Sequence, residues 1–270
     1  MSDVLGALDG VRIVDLTQML AGPFCTMLLA DQGAEVIKVE PLDGDDTRIM
    51  GPYHDDDRLK AFGGYFASIN RNKKSVAIDL KKPEGRDLVL RLCEGADAIV
   101  ENSRAGVMDR LGLGYDALHE RFPKLVYATI RGFGDRRTGK SPYTDWPAYD
   151  VVSQAFGGVM AITGPDKDTP MKVGPGIGDL MPATMSAVGI VSAILRATRP
   201  ARASSSTSPW SMPSCRCASV SCTSIPIPAA CRSPRATTTP CSARSACFPR
   251  RMAMSPSPHQ PMRTGRSCAA

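Results

Sequence analysis

Apolar and polar positions follow two alternating rhythms over the first two thirds of the chain. VRIVDL, Val11 to Leu16, is a β-branched run too short for a helix, and it ends in a polar step. GPFCTMLLADQG follows with helical spacing, Pro23 suiting a first turn and Gly33 a C-terminal stop. AEVIKVE then predicts a second strand. Strand, helix and strand in succession make a βαβ unit, whose crossover builds a parallel sheet with ligand sites at the carboxyl ends of the strands. The same alternation continues: KSVAIDL as strand, PEGRDLVLRLCEG as a helix opened by Pro83, ADAIVEN as strand, YDALHERFP as helix and KLVYATI as strand. The predicted fold class is α/β, a Rossmann-like parallel sheet with flanking helices. No GxGxxG follows the first strand, which argues against a nicotinamide dinucleotide site.

After Ile130 the rhythm changes. GFGDRRTGKSPYTDWPAYD is a polar loop rich in Gly and Pro, long enough to be functional. A helix is predicted from about Tyr149 to Ile162, then a turn TGPDKDTP, a loop KVGPGIGD, and an apolar helix from Leu180 to Leu195. There the pattern stops. Residues 197–270 contain no Asp, Glu or Lys, yet hold ten Arg, seven of the nine Cys and eleven of the 22 Pro. The division is therefore an α/β portion over 1–196 and a low-complexity tail over 197–270 that forms no domain and is expected to be disordered.

Charge follows the same division. Before Ala197 there are 23 Lys and Arg against 27 Asp and Glu, so the overall +6 arises wholly from the tail arginines. Apart from the adjacent Arg250 and Arg251 these are scattered singly among Ser, Pro and Cys, which does not suit a nucleic-acid partner. No basic segment precedes a long apolar run at the N-terminus, and no stretch of 18 apolar residues occurs, so neither a signal peptide nor a membrane partner is expected, and the default compartment is the cytoplasm. Cys25 and Cys93 read as isolated buried thiols. The tail cysteines form no CxxC pair and have only His259 nearby, so no metal site is predicted.

The strongest candidate for chemistry is Asp179 in VGPGIGDLMPATM. Asp at a helix start after a glycine-rich loop has an ordinary explanation as an N-cap. The same position suits a nucleophile, because helix N–H groups stabilise an anion and glycines let a substrate approach. Both readings stand on the residues alone.

Four blocks in order, VRIVDLTQMLAGPFCTMLLADQGAEVIKVEPLDGDDTR, NRNKKSVAIDLKKPEGR, ADAIVENSRAGVMDRLGLGYDAL and PAYDVVSQAFGGVMAITG, closely resemble successive segments of the family III CoA-transferases. The resemblance implies acyl-CoA:carboxylate CoA transfer, with coenzyme A and acyl-CoA as substrates and no permanently bound cofactor. It implies that Asp179 attacks the thioester to give a mixed anhydride and then an aspartyl-CoA thioester. It carries CoA contacts to Leu20 and Ala21, to Ile78, Asp79, Leu80 and Lys81, and to Asn102 and Arg110, and it puts Tyr149 and Asp150 at the active site. Where formyl-CoA transferase has a basic residue, this chain has Pro41. The related α-methylacyl-CoA racemases carry a histidine at the place of Tyr149, and a phenol with an ordinary pKa of about 10 is a poor substitute for imidazole in α-proton abstraction. Transferase is preferred; a racemase and a non-catalytic CoA-binding fragment are the alternatives. The resemblance also implies interlocked homodimers, and a smaller domain following the long helix that is expected to be missing here.

The tail departs from the family's glycine-rich continuation, TGxGQxVDVSMxDAVL. Combining the third base of each tail codon with the first two of the next restores it. Pro200 to Ser208 permits G-x-G-Q-F-V-D-V, and Met212 followed by Pro213 can give only Ala, within V-V-D-A-V-L. A slipped reading frame between about Leu195 and Pro200 is therefore expected, leaving the chain truncated and inactive.

Overall fold

A computed structural model of the chain describes residues 6–137, 141–166, 168–198 and 217–221. Strand β1 (Arg12–Asp15) leads into helix α1 (Ala21–Asp31), and β2 (Glu35–Glu40) returns parallel to β1, with Ile13 opposite Val36. A 3-10 turn (Asp46–Ile49) and α2 (Gly64–Asn70) connect to β3 (Lys73–Ala77), and α3 (Pro83–Cys93) crosses to β4 (Ala98–Glu101). Two short helices, α4 (Val107–Arg110) and α5 (Tyr115–Arg121), precede β5 (Val126–Arg131). Beyond a long loop come α6 (Asp150–Phe156), α7 (Val159–Thr163), α8 (Ile177–Thr198) and β6 (Cys217–Ser221).

The sheet is wholly parallel, in the order β3-β2-β1-β4-β5-β6. The chain builds outward from β1 to β3 and then returns to the other side of β1 to continue with β4. β1 and β4 therefore flank the switch point, where their following loops part and leave a crevice at the carboxyl edge.

Strand periodicity sorts the core into two layers. Ile13, Val36, Val100 and Ala128 face α1 and α8, where Cys25, Leu29, Ala187 and Ile190 pack against them. Val14, Val39, Ile99 and Tyr127 face the other way, toward Val89 and Cys93 of α3 and Leu118 of α5. Both faces are covered, which is why the central strands read as near-continuous apolar runs. Helix α8 is long and apolar enough to cross a membrane by length and composition, but its inner face is spent on α1 and the sheet. Its outer face leaves Met181, Met185, Val188 and Leu195 exposed.

Four differences from the sequence reading have identifiable causes. Gly158, at φ 74°, divides the single helix expected over 149–162 into α6 and α7. Helix α8 begins at Ile177 rather than Leu180, which draws Asp179 into its first turn. β3 runs from Lys73 to Ala77, so Ile78 to Leu80 belong to the following loop. In the compositionally distinct tail, residues 217–221 form β6, in register with Tyr127 to Arg131 of β5. A parallel ladder is made by backbone groups, so a segment without an apolar face can still pair with the open edge of β5.

The carboxyl edge of the sheet is built from buried charge. Asp15, wholly buried, ends β1 and accepts bonds from Thr17 N (2.9 Å), Thr26 Oγ1 (2.7 Å) and Lys73 Nζ (3.1 Å). Lys73 also donates to Pro23 O and Asn70 Oδ1. Lys38 pairs with Asp45 at 2.9 Å and donates to Thr17 O at 2.8 Å. Arg48 grips both oxygens of Glu40 at 2.7 Å and lies over the Phe66 ring. Burial alone would push the Asp15 carboxyl up, but Lys73, Lys38 and the two threonine hydroxyls together hold it below its ordinary value. Burial pushes the Lys73 ammonium down against the pull of Asp15.

Lys73→Met leaves the Asp15 carboxylate buried without its nearest cation. Urea unfolding should show a loss of about 3–5 kcal/mol for this variant, whereas the exposed Lys74→Met should cost less than about 1 kcal/mol.

Candidate active site

The loops after β1, β4 and β5 enclose a cavity of about 570 Å³ at the switch point. Gln18, Met19, Leu20 and Ala21 form one wall, and Asn102 to Ala105 face them. Residues 130–132 and 144–149 close a third side, while Asp46, Met50, Tyr65 and Asp179 complete the lining. The β1 loop is held tightly. Met19 is in the left-handed region at φ 67°, a conformation that costs free energy for a side chain of its kind and persists only where its surroundings enforce it. The enforcing contacts are the Asp15 bonds below and Asn102 beside it, which accepts from Gln18 N at 2.9 Å and donates to Gln18 O at 2.7 Å. Gly22 is required where the loop becomes helix: a Cβ there would lie 2.2 Å from that of Thr17.

Asp179 enters the cavity from the first turn of α8, and capping does not explain it. The helix end is capped by Asp150, whose Oδ1 accepts the Gly178 N–H at 2.9 Å. Gly178 has no room for a side chain, since a Cβ would stand 2.7 Å from Asp150 O and 2.9 Å from Ser153 Cβ. This glycine therefore serves the close approach of α6, not of a substrate. The Asp179 carboxylate is half-buried and accepts no hydrogen bond from the described residues. Burial, with the charge of Asp150 second, raises it to about 6. Such a carboxylate is a stronger nucleophile than an exposed one and is still mostly ionised at neutral pH. Tyr65 is pushed up by burial and then by Asp179.

Of the positions expected to bind CoA, the fold brings Leu20, Ala21, Asn102 and Tyr149 into the cavity with Asp179. Tyr149 is 61% exposed at the rim. Ile78 to Lys81 and Arg110 do not line it. They follow β3 and β4 at the same edge of the sheet, with Lys81 and Arg110 exposed and Ile78 in the core. Asp79 turns back on its own loop to accept the Lys81 N–H at 3.0 Å. Two cations of the lining were not singled out by sequence reasoning. Arg131 is tied to Glu101 at 3.0 Å and Asp135 at 2.6 Å, whereas exposed Arg104 pairs with no carboxylate among the described residues. Asp150 capping and the Gln154 contact to it were also missed, although their i, i+4 spacing in YDVVSQ places both on one helix face.

The family model for CoA-transferase family III matches residues 8–205. The chain belongs to CoA-transferase family III. This family III chain is 52% identical over 190 residues to the succinyl-CoA:mesaconate CoA-transferase of Haloarcula hispanica, covering 70% of the chain and 48% of that relative. To the succinyl-CoA:glutarate CoA-transferase of Homo sapiens it is 44% identical over 174 residues, covering 64% and 38%. The crystal structure of a CAIB/BAIF family protein from Brucella suis superposes with a TM-score of 0.70 at 34% identity, over 81% of this chain and 54% of that one. The chain thus spans about half the length of the curated relatives it matches. The resemblance drawn from the four sequence blocks, the parallel α/β fold and the enzyme class agree with these matches.

Because the folded state binds the Asp179 proton more tightly than the unfolded chain does, stability should fall as pH rises from about 4 through about 6. Asp179→Asn, neutral at all pH, should therefore stabilise the fold by on the order of 1–2 kcal/mol at pH 8 and by little at pH 4, measured by urea unfolding at both.

Proposed function

We propose that the cavity is the CoA-thioester site of an acyl-CoA:carboxylate CoA-transferase and that Asp179 is its nucleophile. The observation that carries this reading is a desolvated carboxylate with no hydrogen bond from the described residues, at a helix N-terminus already capped by another aspartate and open to a cavity at the switch point. An Asp179 oxygen attacks the thioester carbonyl and CoA thiolate leaves, giving a mixed anhydride. The thiolate attacks the aspartyl carbonyl and releases the donor acid, giving an aspartyl-CoA thioester. The acceptor carboxylate attacks that carbonyl and expels the thiolate, which then attacks the acceptor's own carbonyl. Acceptor-CoA leaves and Asp179 is regenerated. The dipole of α8 favours negative charge developing at its N-terminal end, and exclusion of water protects the anhydride.

CoA lies along the carboxyl edge in this reading, with Leu20, Ala21 and Asn102 against the pantetheine arm. Lys81 and Arg110 meet the phosphates, which require counter-charge, and exposed Arg104 adds to them. Tyr149 stands at the rim, where the acid enters. The acceptor is a small carboxylic acid, dicarboxylic in the relatives that are named for mesaconate and glutarate. The exposed apolar stripe on α8 supports assembly with a second copy in the cytoplasm.

We also infer that the coding frame slips between the codons of Leu195 and Pro200. The family match ends at 205, and composition changes at 197. The chain as written then binds CoA without completing transfer, because segments that follow α8 in the family are replaced by out-of-frame residues.

Calorimetry should detect CoA binding by the chain as written, with no turnover of acyl-CoA. The frame-restored chain should turn over, and its Asp179→Ala variant should lose on the order of 10⁴-fold in kcat. Hydroxylamine should trap the wild-type adduct on the peptide containing Asp179. An Asp179→Ala enzyme of full speed would overturn the nucleophile, an unslipped gene the frame inference. Exchange of an α-proton with deuterated solvent in the absence of acceptor acid would favour the racemase.

A further inference from the structure

Gln154 of α6 is 1% exposed and uses its whole amide on two partners. Its Nε2 donates to both Asp150 oxygens, at 2.8 and 3.0 Å, and its Oε1 accepts the Val173 N–H at 2.8 Å. Asp150 in turn accepts the Gly178 N–H. Gln154 and Asp150 thus form a strut joining the two ends of the glycine loop: Val173 before it and the start of α8 after it. Between these anchors Gly174 and Pro175 are exposed, while Gly176 packs close to Leu20 and Asp150. Gly174 has no neighbour within 4 Å of a Cβ position, and Lys172 Nζ donates to the carbonyls of Val173 and Gly174 while standing 3.7 Å from Asp150.

We propose that Gln154 is a positioning residue for Asp179, holding Asp150 on the end of α8 so that the neighbouring carboxylate is denied the helix N–H groups and stays free in the cavity. The amide meets both requirements of the position. It must donate to a carboxylate on one side and accept a backbone N–H on the other. Glutamate would set two carboxylates against each other, and an apolar side chain would leave the Val173 N–H unbonded. Without the strut Asp150 is released from Gly178, and Asp179, one residue along, takes the vacated helix end. The groups that face Asp179 are Asp150 from α6, Tyr65 from α2 and, around the cavity, Asp46, Arg104, Arg131 and Asp145, with Lys172 beyond Asp150. This inference rests on the nucleophile reading, but its first two measurements do not involve CoA.

The test uses the chain as written, labelled with ¹³C at aspartate. In the wild type the Asp179 carboxyl carbon should titrate near 6. In Gln154→Met it should titrate at least about one unit lower, because hydrogen bonds to a carboxylate favour its charged form. Hydrogen-exchange protection of Val173 and Gly178 should fall about tenfold, as expected for one lost hydrogen bond each. The double variant Asp150→Asn with Gln154→Glu gives up one of the two contacts between these side chains but keeps the other with donor and acceptor exchanged, together with the bonds to Val173 and Gly178, and should retain most of the protection. In the frame-restored chain Gln154→Met should lower kcat with KM for acyl-CoA unchanged. An unmoved titration and unmoved protection in Gln154→Met would overturn the proposal. So would a folded double variant without the protection, which decides the matter if Gln154→Met fails to fold. A changed exchange pattern with wild-type kcat reduces Gln154 to a structural role and overturns it equally.

Discussion

The carboxylate of Asp15 is the constraint on which the site depends. It lies with no exposure at the end of the central strand, where an uncompensated charge would not be tolerated, so its partners must converge on it. Thr17 and Thr26 tie down both ends of the loop between β1 and α1, and Lys73 reaches in from the edge strand while also holding Pro23 and Asn70. Lys38 repeats the arrangement one strand over by binding Thr17 O and Asp45. The loop that walls the cavity is thus fixed from beneath by buried ion pairs rather than by apolar packing. Buried pairs add little net stability, but they specify one arrangement, and here that arrangement includes a left-handed Met19.

A second principle is the sharing of carboxylates between structural and chemical work. Glu40, Asp45, Glu101 and Asp135 are all consumed by Arg48, Lys38 and Arg131 within the scaffold. At the mouth of α8 two aspartates share the same helix end and divide the labour. Asp150 caps it, which leaves Asp179 without that partner, and burial followed by the charge of Asp150 raises its carboxyl above the ordinary value. A helix N-terminus stabilises whichever carboxylate reaches it, so the approach of α6 against Gly178 decides which one is available for chemistry.

Most of the fold was legible because strand and helix periods are local properties. VRIVDL, AEVIKVE, ADAIVEN and KLVYATI each became a strand of the parallel sheet, and Pro83 and Gly33 marked a helix start and a helix end. What misled was equally local. Tyr149 to Ile162 carries one helical pattern, yet Gly158 adopts a positive φ and breaks it, and no period registers such a choice. Asp179 next to a glycine run is an N-cap by every local rule. Only the arrival of Asp150, 29 residues earlier in the chain, displaces it from that role. Ser219 and its neighbours in β6 carry no strand signal strong enough to read, since the open edge of β5 supplies the ladder.

By itself the sequence determined the α/β class, the order of the elements, family membership through four ordered blocks, and the abrupt change of character at Ala197, because each is written in neighbouring residues. Tertiary structure decided which charges are spent on the scaffold and which remain free. Asn102 became a clamp on Gln18, Arg131 a counter-ion within the scaffold, Asp150 the cap and Asp179 the half-buried carboxylate of the cavity. The physical reason is that hydrogen bonds and desolvation act between atoms brought together by the sheet topology, and a chain's list of polar residues does not state which of them will meet.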